Sequence, residues 1–130
     1  MNIKFTFIAI LLAFSTGIAC SQTVDFKEPK DGSTVKSPFK VVFVSTGVEV
    51  APAGEIKENS GHHHLIINGD SIPEGQPIPF DDTHKHFGKG QTETEISLPP
   101  GKYKLTMQFA NGAHLSYGPK LSKTIHITVE

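Results

Sequence analysis

Apolar and polar residues alternate along most of the chain beyond residue 22, and helical periodicity is absent there. Alternation with a period of two is typical of half-buried β-strands, while the mostly apolar run at 39–44 predicts a central strand of a sandwich. The predicted strands are 23–26, 39–44, 61–68, 92–98, 102–109 and 124–129. Six or seven short strands separated by turns predict an all-β fold, an antiparallel β-sandwich that is broadly immunoglobulin-like. The cysteine pair and the buried Trp of antibody domains are missing from the sequence, so the expectation concerns architecture alone.

Two connections between the predicted strands stand out. Residues 69–90 carry prolines at 73, 77 and 79, and long irregular loops inside compact domains are usually functional. Asn111-Gly112 is a strong signal for a tight hairpin between the last two strands.

The first nineteen residues have the order of a secretory signal. Lys4 supplies a positive charge, Phe5 to Phe14 form an apolar run, and small residues lead to Ala19. The run is shorter than the ~20 residues that a membrane-spanning helix needs. We therefore expect a signal peptide at 1–19, export to the periplasm or cell envelope, and a single β-sandwich domain at 20–130.

Cys20 is the single cysteine, so it cannot form a disulfide within the chain. Ala19-Cys20 fits a bacterial lipobox, in which the cysteine becomes the lipid anchor of the mature protein. Gly17 and Ala19 also satisfy the small-x-small pattern of ordinary signal cleavage. The lipid anchor is the preferred interpretation, because a free exposed thiol would be reactive. It is also the sole contact with a membrane that we expect.

Charge and composition argue against nucleic acid as a partner. The sequence contains no Arg, and its Lys residues are scattered rather than clustered, whereas phosphate backbones are bound by clustered basic side chains. Histidine is the unusual residue, with seven copies in a chain of 130 residues.

The histidines occur in patterns that suit a metal ion. His62 and His64 project from one face of a predicted strand, because residues i and i+2 point the same way. His84 and His86 repeat that spacing if their segment is extended, and His114 follows the Asn111-Gly112 turn. Imidazole suits copper, zinc and nickel, and short His-rich tracts commonly bind metal. These five residues are the candidate ligands, with copper as the first and zinc as the second candidate ion.

Other side chains are candidates for supporting the ligands. His63 points with Leu65 and Ile67, which favours the core or a contact behind the site over ligation. Asp82, like its neighbour Asp81, can orient an imidazole through the second ring nitrogen, although turn chemistry also explains both. Gln91 and Glu93 follow the long loop, and a solvated surface is the alternative for Glu93. His126 lies on the outward face of the last strand, where solvent contact is expected.

The sequence resembles a bacterial family catalogued as domain-of-unknown-function family 4399. The resemblance is carried by Asp31-Gly32-Ser33-Thr34-Val35, Val50-Ala51-Pro52-Ala53-Gly54, Gly61-His62-His63-His64-Leu65-Ile66-Ile67, Pro77-Ile78-Pro79, His84-x-His86-Phe87-Gly88-x-Gly90-Gln91-Thr92-Glu93, Pro100-Gly101 and His114. It spans essentially the whole chain after the signal segment. It implies a small exported protein, often anchored, and no established activity.

These observations favour an extracytoplasmic metal-binding protein that stores, buffers or delivers copper or zinc. One alternative is a metal-dependent hydrolase at the same histidines, with a base such as Glu93; no catalytic residue is otherwise identified. Another is an adhesion or binding module of the cell envelope that uses the histidine face without metal.

Overall fold

The computed structural model describes residues 10, 13 and 21–130. Cys20 lies outside the described residues, as does the predicted signal segment at 1–19 apart from residues 10 and 13. Among the described residues, no helix is both long enough and apolar enough to cross a membrane.

The described chain is built from short β-strands with one turn of 3₁₀-helix near the end. The elements are β1 (Thr23–Glu28), β2 (Thr34–Val35), β3 (Phe39–Thr46), β4 (Glu49–Val50), β5 (Ser60–Ile67), β6 (His84–His86), β7 (Glu93–Ile96), β8 (Gly101–Ala110), η1 (Pro119–Leu121) and β9 (Ser122–Val129). All six predicted strands are present. The very short β2, β4 and β6 lie in segments that the alternation pattern did not assign to strands.

The strands form two sheets. One has three strands in the order β1-β3-β7, and the other has the order β2-β9-β8-β5-β4, with β6 pairing on β5 as a sixth strand. The long pairings are antiparallel, while β2 with β9 and β4 with β5 are two-residue parallel pairs. The prediction of an all-β, sandwich-like fold is confirmed. Its immunoglobulin-like character stays a prediction.

Apolar side chains from both sheets meet in one core. In β3, Phe39, Val41 and Phe43 are buried, whereas Val44 on the opposite face is 42% exposed. In the six-stranded sheet, Leu65 and Met107 face the same core across the β5–β8 ladder. This burial follows from the period-two pattern, because burying apolar surface favours the arrangement in which each strand turns its apolar side inward.

The outer face of the six-stranded sheet is also covered. The alternation of β8 places Thr106 and Gln108 on its polar side, yet both are fully buried. Residues 69–80 lie over them: the Thr106 hydroxyl donates to the Gly69 carbonyl at 2.8 Å, and the backbone N–H of Ile72 donates to Gln108 Oε1 at 3.0 Å. The long loop therefore creates a second buried layer, on the side of the sheet that faces away from the sandwich core.

Candidate metal centre

Strand β5 places two imidazoles side by side in that outer layer. His62 and His64 lie on the same face of the strand, their ring centroids are 4.6 Å apart, and both are fully buried. Gly61 lets the strand begin beside β8, because a Cβ atom there would lie 1.9 Å from the carbonyl oxygen of Ala110. The i, i+2 spacing of His62 and His64 places both imidazoles on one face of the strand, as predicted.

Strand β6 brings a third imidazole to the same face. His86 is the cross-strand partner of His64, and their ring centroids are 4.5 Å apart. Directly paired residues of neighbouring strands project from the same side of a sheet, so the register of β6 sets this contact.

The loop after β8 supplies a fourth imidazole. His114 has a φ of 61°, a left-handed conformation that is uncommon for residues other than glycine and in which His is enriched. The Asn111 side chain stabilises the turn by accepting hydrogen bonds from the backbone N–H groups of Ala113 and Leu115. The carbonyl of His114 accepts from the N–H of Ile78, which ties this turn to the long loop. The Asn111-Gly112 signal thus marks a turn that is closed by the pairing of Ala110 with Ser116. The last strand, β9, begins only at Ser122, so this turn does not join β8 directly to β9.

Three ring nitrogens converge on one nitrogen of His114. His114 Nδ1 lies 3.0 Å from His62 Nε2, 3.3 Å from His64 Nε2 and 3.3 Å from His86 Nδ1. A ring nitrogen has either one hydrogen or one lone pair, so hydrogen bonding can satisfy at most one of these three contacts. A tetrahedral ion with bonds of about 2.05 Å holds its ligand nitrogens about 3.3 Å apart. His62, His64 and His114, whose ligand atoms all lie within 4.8 Å of one another, can hold a metal ion.

The contacts of the second nitrogen in each ring indicate which atom carries a lone pair towards the cluster, the name used here for His62, His64, His86 and His114. His86 Nε2 lies 2.8 Å from the carbonyl oxygen of Pro79, which can only accept, so Nε2 carries the hydrogen and Nδ1 presents a lone pair to the cluster. Nδ1 of His62 and Nδ1 of His64 are buried, and no described residue forms a hydrogen bond with either atom. The nitrogen that His86 turns towards His114 is therefore the one suited to ligation, while His62 and His64 turn Nε2 towards it.

His62 and His64 are uncharged at neutral pH. Burial lowers the pKa of His62 to about 4 and that of His64 to about 2, and the neighbouring imidazoles lower both further. The pKa of His114 is also lowered, first by burial and then by His86. Because a metal ion binds the neutral form of imidazole, low pKa values keep the lone pairs available below the usual titration range of histidine.

His84 is not brought into the cluster. It shares the outer face with His86, but its Nδ1 lies 2.7 Å from Asp81 Oδ1 and 3.1 Å from the Thr83 hydroxyl. Hydrogen bonds from His84, first, and from Thr83 lower the pKa of the Asp81 carboxyl to about 2. Asp81, rather than Asp82, is thus the carboxylate that orients an imidazole in this loop, and Asp82 is exposed.

Gln91 and Glu93 make other contacts. Gln91 Oε1 accepts a hydrogen bond from the backbone N–H of Lys89, and Glu93 on β7 forms an ion pair with Lys40 at 3.3 Å. Within the described residues, neither side chain bonds to a histidine of the cluster. No described carboxylate does so either, which leaves the four imidazoles without a negative neighbour in hydrogen-bond contact.

His63 points to the opposite side of β5, into the core between the two sheets. Its ring stacks on Phe43 at a centroid distance of 4.9 Å and meets the ring of Phe109 edge-on at 5.2 Å. Both ring nitrogens are buried and form no hydrogen bond within residues 21–130, and burial lowers the pKa of His63 to about 4. The expected core position on the face of Leu65 and Ile67 is the one it occupies.

Phe80 and Pro79 are parts of the site that the sequence analysis missed. The Phe80 ring stacks on His86 at 3.9 Å with the planes 13° apart, although the residue is 74% exposed. It also meets His114 edge-on at 5.2 Å. A large aromatic residue in a polar, Pro-rich loop beside His84 and His86 was the available signal.

Comparisons with known proteins identify a family and a solved structure with a similar fold, and they assign no activity. The family model described as "Domain of unknown function (DUF4399)" matches residues 41–130, which contain all four histidines of the cluster. No curated protein matches the sequence. Among solved structures, the endo-beta-1,4-mannanase from Thermotoga petrophila is similar with a TM-score of 0.52 and 12% identity, over 88% of this chain. The chain spans 21% of that enzyme's length, and the likeness shows the fold alone.

Proposed function

We propose that this chain, which belongs to the family described as domain of unknown function DUF4399, binds a metal ion. Membership of that family implies no activity. The ligands are His62, His64 and His114, with His86 as the fourth. The function is the storage, buffering or delivery of the ion, with copper as the first candidate and zinc as the second.

The convergence of ring nitrogens on His114 Nδ1 carries this proposal. Three neighbours at 3.0 to 3.3 Å exceed what one nitrogen can satisfy by hydrogen bonding. A shared cation accounts for all three contacts at once, because every lone pair then points at the same ion. The depressed pKa values of His62 and His64 agree with it, since the neutral rings repel no cation.

The choice of ion rests on the donor set. Imidazole suits copper and zinc, and copper binds nitrogen donors most tightly in the divalent series. The proposed ligands are all imidazoles, which makes it an all-nitrogen site.

A protein role outside the cytoplasm is part of the same proposal. The order of charged, apolar and small residues in 1–19 supports export, and Ala19-Cys20 supports a lipid tether in the cell envelope. Mass spectrometry of the mature N-terminus tests both: we expect a chain that begins at Cys20 and carries acyl groups. An unmodified N-terminus contradicts the tether, and an intact residue 1 contradicts export.

Storage or delivery is favoured over hydrolysis by the filling of the site. If His86 joins His62, His64 and His114, four imidazoles fill a tetrahedral shell, whereas catalytic zinc sites keep a position open for water. Glu93, the candidate base, is paired with Lys40 on the three-stranded sheet. The likeness to a mannanase domain concerns the fold and supplies no site.

Metal analysis of protein purified without a His tag tests the proposal. We expect about one equivalent of copper or zinc in the native protein, and its loss in a His62→Ala/His64→Ala double variant. Because both residues are buried, His114→Gly provides a second test: glycine accepts the φ of 61° while removing the ring on which the contacts converge. His126→Ala is the matched control, since its side chain is 71% exposed on β9. Absence of metal, with no micromolar uptake on titration, contradicts the proposal.

Binding should also stabilise the fold. A ligand at 100 times its Kd adds about 2.7 kcal/mol to the free energy of unfolding. We expect the melting temperature to rise on addition of the ion to the native protein and to the His126→Ala control, and to stay unchanged in His114→Gly.

A further inference from the structure

A short loop at residues 51–54 connects three segments of the chain that lie far apart in sequence. The loop follows β4, and Pro52, Ala53 and Gly54 within it are exposed. Its backbone N–H groups donate to three separate carbonyls: Ala51 N to Gly61 O at 2.8 Å, Ala53 N to Gly88 O at 2.8 Å, and Gly54 N to Gly112 O at 2.9 Å. Each of these hydrogen bonds therefore goes to a different part of the structure.

The three acceptors lie beside histidines of the cluster. The first belongs to the peptide bond between Gly61 and His62, the second comes two residues after His86, and the third comes two residues before His114. The side chains of the same three segments meet in the cluster, where His114 Nδ1 lies 3.0 Å from His62 Nε2 and 3.3 Å from His86 Nδ1. The 51–54 loop thus joins by backbone hydrogen bonds the segments whose imidazoles converge.

Glycines allow the loop to approach these segments closely. A Cβ atom on Gly112 would lie 2.1 Å from the carbonyl oxygen of Glu55, so a side chain there would push the loop away from the turn. A Cβ atom on Gly88 would lie 3.4 Å from Ala53 Cβ and 4.0 Å from His114 Cε1. The loop therefore packs on the backbone directly beside the His114 ring.

Gly54 has the backbone conformation that this path requires. Its φ is 136°, a value that residues with a side chain rarely adopt. It lies where the chain passes from the hydrogen bond with Gly88 to the one with Gly112. No described atom lies within 4 Å of a Cβ atom built on Gly54, so a substitution there acts through the backbone and not through a clash.

Holding the three segments together before the ion arrives should increase the affinity for it. An ion that had to order its own ligands would lose part of its binding free energy to that ordering, and preorganisation avoids the loss. The effect is reciprocal by linkage: whatever the ordered loop adds to metal binding, bound metal adds to the order of the loop.

We propose that residues 51–54 position His62, His86 and His114 for the ion without contacting it themselves. This inference rests on the metal-binding function proposed above, and it adds a positioning element to that site. The three hydrogen bonds of the loop are its means, and the conformation of Gly54 is the feature on which they depend. Order in the loop and occupancy of the site are coupled as a result.

A matched pair of glycine substitutions tests the positioning role. Gly54→Ala places a side chain on a backbone with φ of 136°, and Gly32→Ala does the same at a φ of 79° in a turn whose N–H donates to the His126 carbonyl. No described atom lies within 4 Å of a Cβ atom at either position. Titrations with Cu(II) and Zn(II) against a chelator measure the affinities. We expect Gly54→Ala to bind at least about tenfold more weakly, the lower range for losing a group that orients a ligand. Gly32→Ala should stay within about twofold of the native protein. Urea unfolding without metal shows whether both variants are folded.

Hydrogen exchange in the native protein tests the same coupling without any substitution. We expect bound metal to slow exchange at the N–H groups of Ala53 and Gly54 by at least about tenfold, and at that of Gly32 by less than about twofold. The same ion added to His114→Gly should slow none of the three. Because this measurement uses the native chain, it decides the matter even if Gly54→Ala does not fold.

The outcomes separate this inference from the proposed function. Native affinity in a folded Gly54→Ala, an equal loss in Gly32→Ala, or unchanged exchange at Ala53 and Gly54 in the metal-loaded protein would overturn the positioning role. If metal is nevertheless bound by the native protein and lost in His114→Gly, the metal-binding function itself stands. Failure of the native protein to bind either ion overturns both.

Discussion

His64 and His86 face each other across the β5–β6 ladder, with ring centroids 4.5 Å apart and ring planes inclined by 83°. Backbone hydrogen bonds bracket this pair, from Phe87 N to the His63 carbonyl and from Ile67 N to the Thr83 carbonyl. A slip of one residue would turn His86 to the other face of the sheet. The three-residue strand β6 is thus the element that decides which histidine of the long loop joins the cluster.

The two histidines of β6 should therefore differ in their effect on metal binding. His86 presents Nδ1 to His114 at 3.3 Å, whereas His84 is bonded to Asp81. We expect His86→Ala to weaken metal binding by about 100-fold or more, since losing even an outer partner of a ligand costs 10- to 100-fold. His84→Ala, on the same strand and face, should change it by less than about threefold. Chelator competition measures both, and an equal loss in His84→Ala would make His84 a ligand after all.

The identical spacing of His84-x-His86 and His62-x-His64 explains why the sequence could not separate these residues. A period of two predicts correctly that each pair shares a face, and the same period places Ile125, Ile127 and Val129 on the buried side of β9. The period carries no information about the turn in which Asp81 forms a hydrogen bond with His84, because that turn depends on the path of the loop.

His114 and Gln108 show a second limit of sequence analysis. His114 reaches the site because the turn after β8 adopts a left-handed conformation and pairs with the long loop at Ile78. Gln108 follows the alternation of an exposed position but is buried under residues 69–80. Contacts between two irregular segments distant in sequence leave no periodic signal, so the covered outer face of the sheet could not be predicted.

The stability of the metal-free protein should fall in mild acid. Burial lowers the pKa of His62 and His63 to about 4 and that of His64 to about 2, whereas the ordinary value is 6.5. Below pH 6.5 the unfolded chain therefore binds protons that the folded chain does not. The contribution of the three neutral rings to the free energy of unfolding is fully present above pH 6.5. It is lost as the pH falls towards the pKa values of the folded state. Each such proton adds about 1.4 kcal/mol per pH unit to the slope. Urea unfolding at about pH 7 and pH 5 measures it, and a flat profile would contradict the buried, neutral state of these rings.

His63→Phe should remove part of that pH dependence without affecting the metal. The ring lies between Phe43 and Phe109 with both nitrogens unpartnered, so an aromatic hydrocarbon of similar shape relieves a buried polar group. We expect unchanged or higher stability near pH 7, a shallower loss towards pH 5, and metal affinity within about twofold of the native protein. A large loss of metal affinity in this variant would show that His63 supports the ligands through β5.

Gln108 should be the residue on which the covering loop depends most. Its Nε2 donates to the carbonyls of Gly118 and Leu121, while Oε1 accepts from Ile72 N. Gln108→Met keeps the length of the side chain but leaves those buried backbone groups unpaired, at a cost of about 1–3 kcal/mol each where water cannot enter. We expect the free energy of unfolding to fall by at least about 2 kcal/mol. The affinity for metal should fall with it, because residues 69–80 carry Pro79 and Phe80 to the site.

Gln91→Met is the matched control for this variant, since the Gln91 amide makes an exposed, local bond to Lys89. It should change the free energy of unfolding by less than about 0.5 kcal/mol. Urea unfolding with and without bound metal separates the two effects: the ion should restore part of the stability of Gln108→Met by holding His86 and His114 in place. Native stability in Gln108→Met would mean that the loop is held over the sheet by contacts other than this amide, and the metal affinity of that variant should then be native too.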